Sequence, residues 1–229
     1  MFDKIVTDVF FDLDHTLWDF EKNSALTFEK ILVENDVKVE LADFLKVYVP
    51  NNLIFWKLFR DNKISKEDLR YQRLKLTFDS LKMEVTDTII HRLAEEYINN
   101  LTNYNHLFPN TMNVLNYLKP KYKLHIITNG FQEIQEKKLK NSGIHDYFSV
   151  FMNADMAGVK KPNPLIFQLA LEKANVQAEK AMMIGDSLEA DILGAKAIGF
   201  HTLHFNAHGE ENHDLSIMIT DLNEIKFYL

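Results

Sequence analysis

Short apolar runs rich in β-branched and aromatic residues recur along this chain, and helical repeats separate them. Ile5 to Phe11, Lys123 to Ile127, Val150 to Met152, Ala181 to Ile184, Phe200 to Leu203 and Ile217 to Ile219 all read as strands. Val114, Leu115 and Leu118 mark a helix that Pro120 ends. Helical patterns also run over Phe131 to Asn141, Pro164 to Ala174 and Leu188 to Ala197, with another after Ile219. Strands that alternate with helices argue for a parallel sheet in an α/β fold.

The stretch from about Glu21 to Leu101 contains no convincing strand. Ala25, Phe28 and Leu32 repeat at helical spacing, as do Leu41, Phe44, Leu45 and Tyr48 before Pro50, where an interruption is expected. Ser65 to Asp68 form a capping box, with Ile64 and Leu69 placed for a hydrophobic staple. Ile90, Leu93, Tyr97 and Leu101 mark a further helix face. The simplest architecture is a core of residues 1–17 and 105–229, split by a helical insertion of residues 18–104.

The chain has 229 residues, 46% of them apolar, and a net charge of −7. No block of Lys or Arg stands out, which argues against a nucleic-acid polymer as partner. Cysteine is absent, so disulfides and thiol chemistry are excluded, and a reducing compartment fits. The N-terminus carries no signal-peptide pattern, and no apolar run is long enough to span a bilayer. A cytoplasmic protein without a membrane partner is expected, as a monomer or homodimer.

Polar groups collect where the strands end, which is where open α/β sheets bind ligands. The first strand runs into Asp12 and Asp14. Alternate side chains of an extended segment point the same way, so the two carboxylates could converge. Their repulsion then needs a cation, a shared proton or solvent to offset it. A divalent metal with a phosphate substrate is the sharpest reading, and two exposed loop aspartates the plainest. Thr128-Asn129-Gly130 ends another strand and is either a turn or a set of anion donors. Gly185-Asp186-Ser187, with Asp191 a turn later, is either a helix cap or a source of metal ligands. Lys160 and Lys161 lie in a loop stiffened by Pro162 and Pro164; the plain reading is a solvated lysine, the sharper one a phosphate ligand.

Taken in order, Asp12-Leu13-Asp14-His15-Thr16, Ile126-Ile127-Thr128-Asn129, Lys161-Pro162-Asn163-Pro164 and Gly185-Asp186-Ser187-Leu188-Glu189-Ala190-Asp191 resemble the four signatures of the haloacid dehalogenase superfamily of phosphohydrolases. The resemblance covers residues 1–20 and about 105–229, and the insertion resembles the helical cap of one large branch. It implies a Rossmann-like core and a Mg²⁺ cofactor. Asp12 would be the nucleophile and a metal ligand. Asp14 would be the general acid and base, its backbone carbonyl on the metal. Thr128 and Lys161 would bind the transferring phosphoryl group, Asn129 would help through its backbone, and Asp186 would hold Mg²⁺. Asp191 would complete the metal site through water or Lys161. Lys161 is preferred to Lys160 because the family lysine immediately precedes proline.

His15 stands where the family usually has Gly. The stretch from Asp14 to Glu21, with Asn23-Ser24, Trp56, Arg70, Arg73, Gln135 and Phe205-Asn206, resembles a branch of bacterial nucleoside 5′-monophosphatases that favour pyrimidine nucleotides. The resemblance thus implies a small phosphorylated metabolite, a nucleotide, as the partner. A sugar-phosphate or phosphoglycolate-type phosphatase, or a phosphomutase, would use the same core. Asp14 argues against a dehalogenase, which needs no acid there. A phospho-accepting signalling receiver is a different class, and its acidic pair and acceptor Asp lie on separate strands.

Trp18, following the first motif, is the preferred candidate for stacking on a base; Phe20, Tyr48, Phe55, Trp56 and Tyr71 read mainly as core. Arg70 and Arg73 could touch substrate or pair on a helix surface. His201, His204, His208 and His213 could suggest zinc, but His201 and His204 should face opposite sides of a strand.

Overall fold

The computed structural model describes residues 2–229, which form two compact units, 2–20 with Asn105–Leu229, and Glu21–Tyr104. Each is built around its own core.

The first unit contains a six-stranded sheet in the order β3-β2-β1-β4-β5-β6. The strands are β1 (Asp8–Phe11), β2 (Lys123–Thr128), β3 (Phe148–Asn153), β4 (Ala181–Gly185), β5 (His201–Phe205) and β6 (Ile217–Ile219), and every neighbouring pair is parallel. The chain steps outward from β1 through β2 to β3, then crosses back to β4 on the other side. That reversal puts a topological switch point between β1 and β4, and the crevice beyond their carboxyl ends is where such sheets take ligands.

β1 is shorter than the apolar run beginning at Ile5 suggests. Ile5 is 49% exposed, and pairing with β2 and β4 begins only at Asp8. All of β1 is buried, as expected for a central parallel strand covered on both faces. On one face Phe10, Ile127, Val150 and Met183 pack with Ile166, Phe167 and Ala170 of a helix over Pro164–Ala174. That helix starts as its sequence dictates: Asn163 accepts a hydrogen bond from the Leu165 amide, and Pro164 follows at a position that needs no amide donor. After β4, residues Leu188–Leu193 form a wide π-type turn instead of the expected regular helix, which runs only over Gly194–Lys196. The amides of both Asp191 and Ile192 bond to the Ser187 carbonyl, so one extra residue is accommodated there.

The second unit holds four helices, α1 (Phe20–Glu34, entered from the first unit), α2 (Leu41–Arg60), α3 (Lys66–Ser80) and α4 (Asp87–Asn100). The capping box is present: the Asp68 amide donates to Ser65 Oγ at 3.0 Å, and the Ser65 amide to Asp68 Oδ2 at 3.1 Å. Pro50 does not interrupt α2, contrary to expectation. Proline inside a helix costs about 3 kcal/mol. Buried Phe44 and Tyr48 before it and Asn51 and Asn52 after it anchor both halves in the same core and hold the helix through the defect.

Phe28, Phe44, Tyr48 and Tyr97 form the aromatic centre of this unit, with Phe28 and Tyr48 rings 4.5 Å apart. Arg73 does not pair on the helix surface. It is 3% exposed, packs on the Tyr97 ring at 4.9 Å and donates to Asn52 Oδ1 at 2.9 Å.

Candidate active site

β1 hands its chain to Asp12, whose amide continues the ladder onto the Ile184 carbonyl at 2.9 Å. The backbone then closes a tight loop in which the Leu13 carbonyl accepts from the Leu17 and Trp18 amides. His15 sits in that loop with φ 63°, the left-handed region that glycine enters freely and other residues at a cost. This is the physical content of the departure from Gly. His15 packs on the rings of Phe20 at 4.8 Å and His208 at 4.9 Å, contacts a glycine could not make.

The expected convergence of Asp12 and Asp14 resolves into two separate pairings. Lys161 Nζ donates to Asp12 Oδ1 at 2.5 Å, while Lys138 Nζ donates to Asp14 Oδ1 at 2.5 Å. Each carboxylate of the repelling pair has its own ammonium. Lys161 also donates to Asp191 Oδ1 at 2.6 Å and the Ile127 carbonyl at 2.7 Å, and it is 2% exposed. It is Lys161, not Lys160, that enters the carboxylate group. Asn129 explains how: its side chain accepts from the Lys161 amide at 2.7 Å and donates to the Lys161 carbonyl at 3.0 Å.

Asp12, Asp186 and Asp191 bring carboxylate oxygens within 4.8 Å of one another. Asp186 leaves the end of β4, opposite Asp12 at the switch point. Asp191 is turned back by the wide turn, so that the Ser187 amide donates to its Oδ2 at 3.0 Å. Burial pushes the Asp12 carboxyl well above the ordinary carboxylate range; Asp191 and Asp186 push the same way, and Lys161 only partly opposes them. Burial also raises Asp191. Asp186 is half-buried, and although burial pushes its carboxyl up, the hydrogen bond from His208 and the surrounding positive groups win and hold it below the ordinary range. Burial alone would lower the Lys161 ammonium, but Asp12 and Asp191 together raise it.

Three carboxylates against one ammonium leave the group with surplus negative charge. Hard oxygen donors with that surplus fit a Mg²⁺-type cation well. The Asp14 carboxylate is not among those oxygens; Gln135 Nε2 holds its Oδ2 at 2.8 Å and Lys138 its other oxygen.

Thr128 ends β2 facing the same crevice. Its Oγ1 accepts from the Gly130 amide at 3.1 Å and from Gln135 Nε2 at 2.7 Å. Both lone pairs are thereby used, and the hydroxyl hydrogen is the valence that remains, so Thr128 can serve an anion only as a donor.

Trp18 is fully buried, with the Lys138 ammonium 4.3 Å from its ring, so that face is not offered to a base as the sequence reading expected. The histidines do not assemble a metal site. His201 contacts the Glu179 carbonyl at 3.1 Å, His204 the Asp186 carbonyl at 2.7 Å, and His208 the Asp186 carboxylate at 3.2 Å. Among the described residues the metal-capable group contains no histidine.

Lys138 lies outside every sequence motif, and Gln135 enters only through the nucleotidase resemblance, without a role. The signal was present nonetheless. Phe131, Ile134 and Leu139 mark the buried stripe of a helix over Gln132–Asn141, and Gln135 and Lys138 fall on that stripe.

The family model for haloacid dehalogenase-like hydrolases matches residues 9–199. The chain is 32% identical over 204 residues to the pyrimidine 5′-nucleotidase YjjG of Escherichia coli K12, covering 89% of this chain and 87% of that protein. It is 33% identical over 205 residues to the pyrimidine 5′-nucleotidase PynA of Streptococcus pneumoniae R6, covering 89% and 85%. The crystal structure of the HAD-hydrolase YfnB from Bacillus subtilis, described as bound to magnesium, superposes with a TM-score of 0.88 at 24% identity over 98% of both chains. With strand-end carboxylates, hydroxyl and lysine in one crevice and a family match spanning most of its length, this chain belongs to the haloacid dehalogenase-like hydrolases.

Proposed function

We propose that this hydrolase is a Mg²⁺-dependent phosphomonoesterase working through an aspartyl-phosphate on Asp12, with nucleoside 5′-monophosphates as substrates. The observation that carries the chemistry is the group of three carboxylates within 4.8 Å, set against the single ammonium of Lys161. Such a group suits a divalent cation beside a polyanionic substrate. Asp12, Asp186 and the Asp14 backbone carbonyl would hold the ion, with Asp191 acting through Lys161. When bound, Mg²⁺ supplies neutralisation of charge on the phosphoryl oxygens.

In the first step an Asp12 oxygen attacks phosphorus in line and the P–O ester bond breaks, while Asp14 gives its proton to the departing alcohol. The products are the free alcohol and an acyl phosphate on Asp12. In the second step Asp14 takes a proton from water, which attacks the same phosphorus. The bond to Asp12 breaks, and inorganic phosphate and the carboxylate are regenerated. Thr128 donates its remaining O–H to the transferring group and Lys161 supplies positive charge, its backbone braced by Asn129. The nucleotide assignment is supported by the two relatives named as pyrimidine 5′-nucleotidases over most of the chain. The helical unit would act as the cap that sets substrate choice.

Phosphate release from p-nitrophenyl phosphate with Mg²⁺, for wild type and Asp12→Asn, tests the chemistry. Turnover that vanishes in the variant and in chelator is expected; turnover independent of Asp12 would overturn the reading. A panel of nucleoside monophosphates and hexose phosphates tests the substrate class, and a preference for hexose phosphates would remove the nucleotide assignment.

A further inference from the structure

Gln135 and Lys138 lie three residues apart on one helix and are 0% and 2% exposed. They grip the two oxygens of Asp14, Lys138 on Oδ1 at 2.5 Å and Gln135 on Oδ2 at 2.8 Å. The same Gln135 nitrogen donates to Thr128 Oγ1 at 2.7 Å. One amide group therefore joins the carboxylate expected to carry the proton to the hydroxyl expected to hold the phosphoryl group.

Space for this bridge comes from Gly130. A Cβ there would stand 1.9 Å from Gln135 Nε2 and 2.3 Å from its Cδ. The glycine after Thr128-Asn129 thus clears the path along which Gln135 reaches Asp14. On the other side the Lys138 ammonium is enclosed by the Trp18 ring at 4.3 Å and the Phe20 ring at 5.2 Å, which fix its direction.

A fold does not need this arrangement for stability. A buried ion pair is commonly matched or bettered by apolar residues of similar size. Gln135 Oε1 is also buried with no partner among the described residues, a cost that an apolar side chain would avoid. What the arrangement achieves is a fixed rotamer for Asp14 at a set distance from Thr128. A proton carrier displaced by even an ångström loses much of its effect.

We propose that Gln135 and Lys138 are positioning residues that hold the Asp14 carboxyl in register with the phosphoryl site for proton transfer to the leaving alcohol, with Gly130 providing the passage. The proposal rests on the phosphomonoesterase reading above.

The test compares kcat/KM for two substrates that differ in their need of a proton. A nucleoside 5′-monophosphate leaves as a poor alkoxide and depends on the acid; p-nitrophenyl phosphate leaves as a stable phenolate and hardly does. Lys138→Met and Gln135→Leu are expected to lower kcat/KM for the nucleotide about 100-fold, the low end of what general acid catalysis contributes, and for the aryl ester less than about threefold. Lys138→Arg should recover most of the loss, since it keeps a charged donor. Gly130→Ala should reproduce the Gln135→Leu pattern by displacing that side chain. Equal losses on both substrates, or no loss on either, would overturn the positioning role. Should Lys138→Met fail to fold by circular dichroism, Gln135→Leu carries the same comparison. Failure of the parent reading is separately visible, because the wild type would then show no Asp12-dependent release from p-nitrophenyl phosphate.

Discussion

Gly185 and Asp191 occupy the same space up to the limit of contact: a Cβ on Gly185 would stand 2.3 Å from Asp191 Oδ2 and 2.6 Å from Asp191 Cβ. The last residue of β4 must lack a side chain for the wide turn to fold Asp191 back onto Lys161. Gly185→Ala therefore cannot be absorbed by a swing of the carboxylate alone. Overpacking of this kind costs about 1–3 kcal/mol. Urea denaturation should show that loss, and titration calorimetry should show weaker Mg²⁺ binding.

Lys161→Met leaves Asp12 and Asp191 buried without their shared ammonium. Breaking one side of a buried pair costs about 3–5 kcal/mol. The cost should be smaller at pH 5 than at pH 8, because burial already holds both carboxyls above their ordinary range and they can take up protons instead. Denaturation in EDTA at the two pH values measures this. A variant as stable as wild type at pH 8 would contradict the role assigned to the ammonium.

His125 offers a pH dependence remote from the carboxylate group. It is 1% exposed, stacks on Phe10 at 4.4 Å and meets Asp8 at 2.8 Å. Burial lowers its pKa below the 6.5 of a free imidazole, although Asp8 opposes the shift. A lowered pKa means that the unfolded chain binds more protons in the window between the two values. The stabilisation is then fully present above about pH 6.5 and is lost as pH falls through the lowered folded value. His125→Gln should flatten the stability profile there, by at most about 1.4 kcal/mol per pH unit. An unchanged slope between pH 7 and 5 would assign the acid sensitivity to other groups.

Pro50 denies the Lys46 carbonyl its helical partner inside α2. Pro50→Ala should raise stability by about 1–3 kcal/mol, less whatever rigidity the ring lends the unfolded chain. Thermal melts of the two proteins would show it; a lower melting temperature would mean that the neighbouring core is fitted to the proline.

Much of the fold was legible from pattern. The helix over Pro164–Ala174 and the strand over Ile217–Ile219 have the limits that the sequence pattern suggests, because local chemistry decides such boundaries. Pro50 and the turn after Ser187 depart from the local pattern for the opposite reason. In each, a long-range contact outweighs a local preference: core burial on both sides of Pro50, and the return of Asp191 to Lys161. In the site, Asp12, Thr128 and Asp186 meet because strand ends in a parallel sheet share one edge, and Lys161 reaches them from the loop before Pro164. Trp18 is buried at a motif's edge because exposure there depends on what packs over it, here Lys138.

The sequence by itself determined that a parallel sheet would form, that its strand ends would carry carboxylates and a hydroxyl with a lysine in a nearby loop, and which family the chain resembles. Only the tertiary structure decided how charge is shared among them. Lys161 meets Asp12 across 149 residues of chain and Lys138 meets Asp14 across 124. Periodicity can say that Lys138 lies on a buried stripe, but not which anion waits there. That follows from where the packed sheet sets the end of β1 relative to the helix after β2, since side-chain pairing is fixed by distances of a few ångströms that no local pattern encodes.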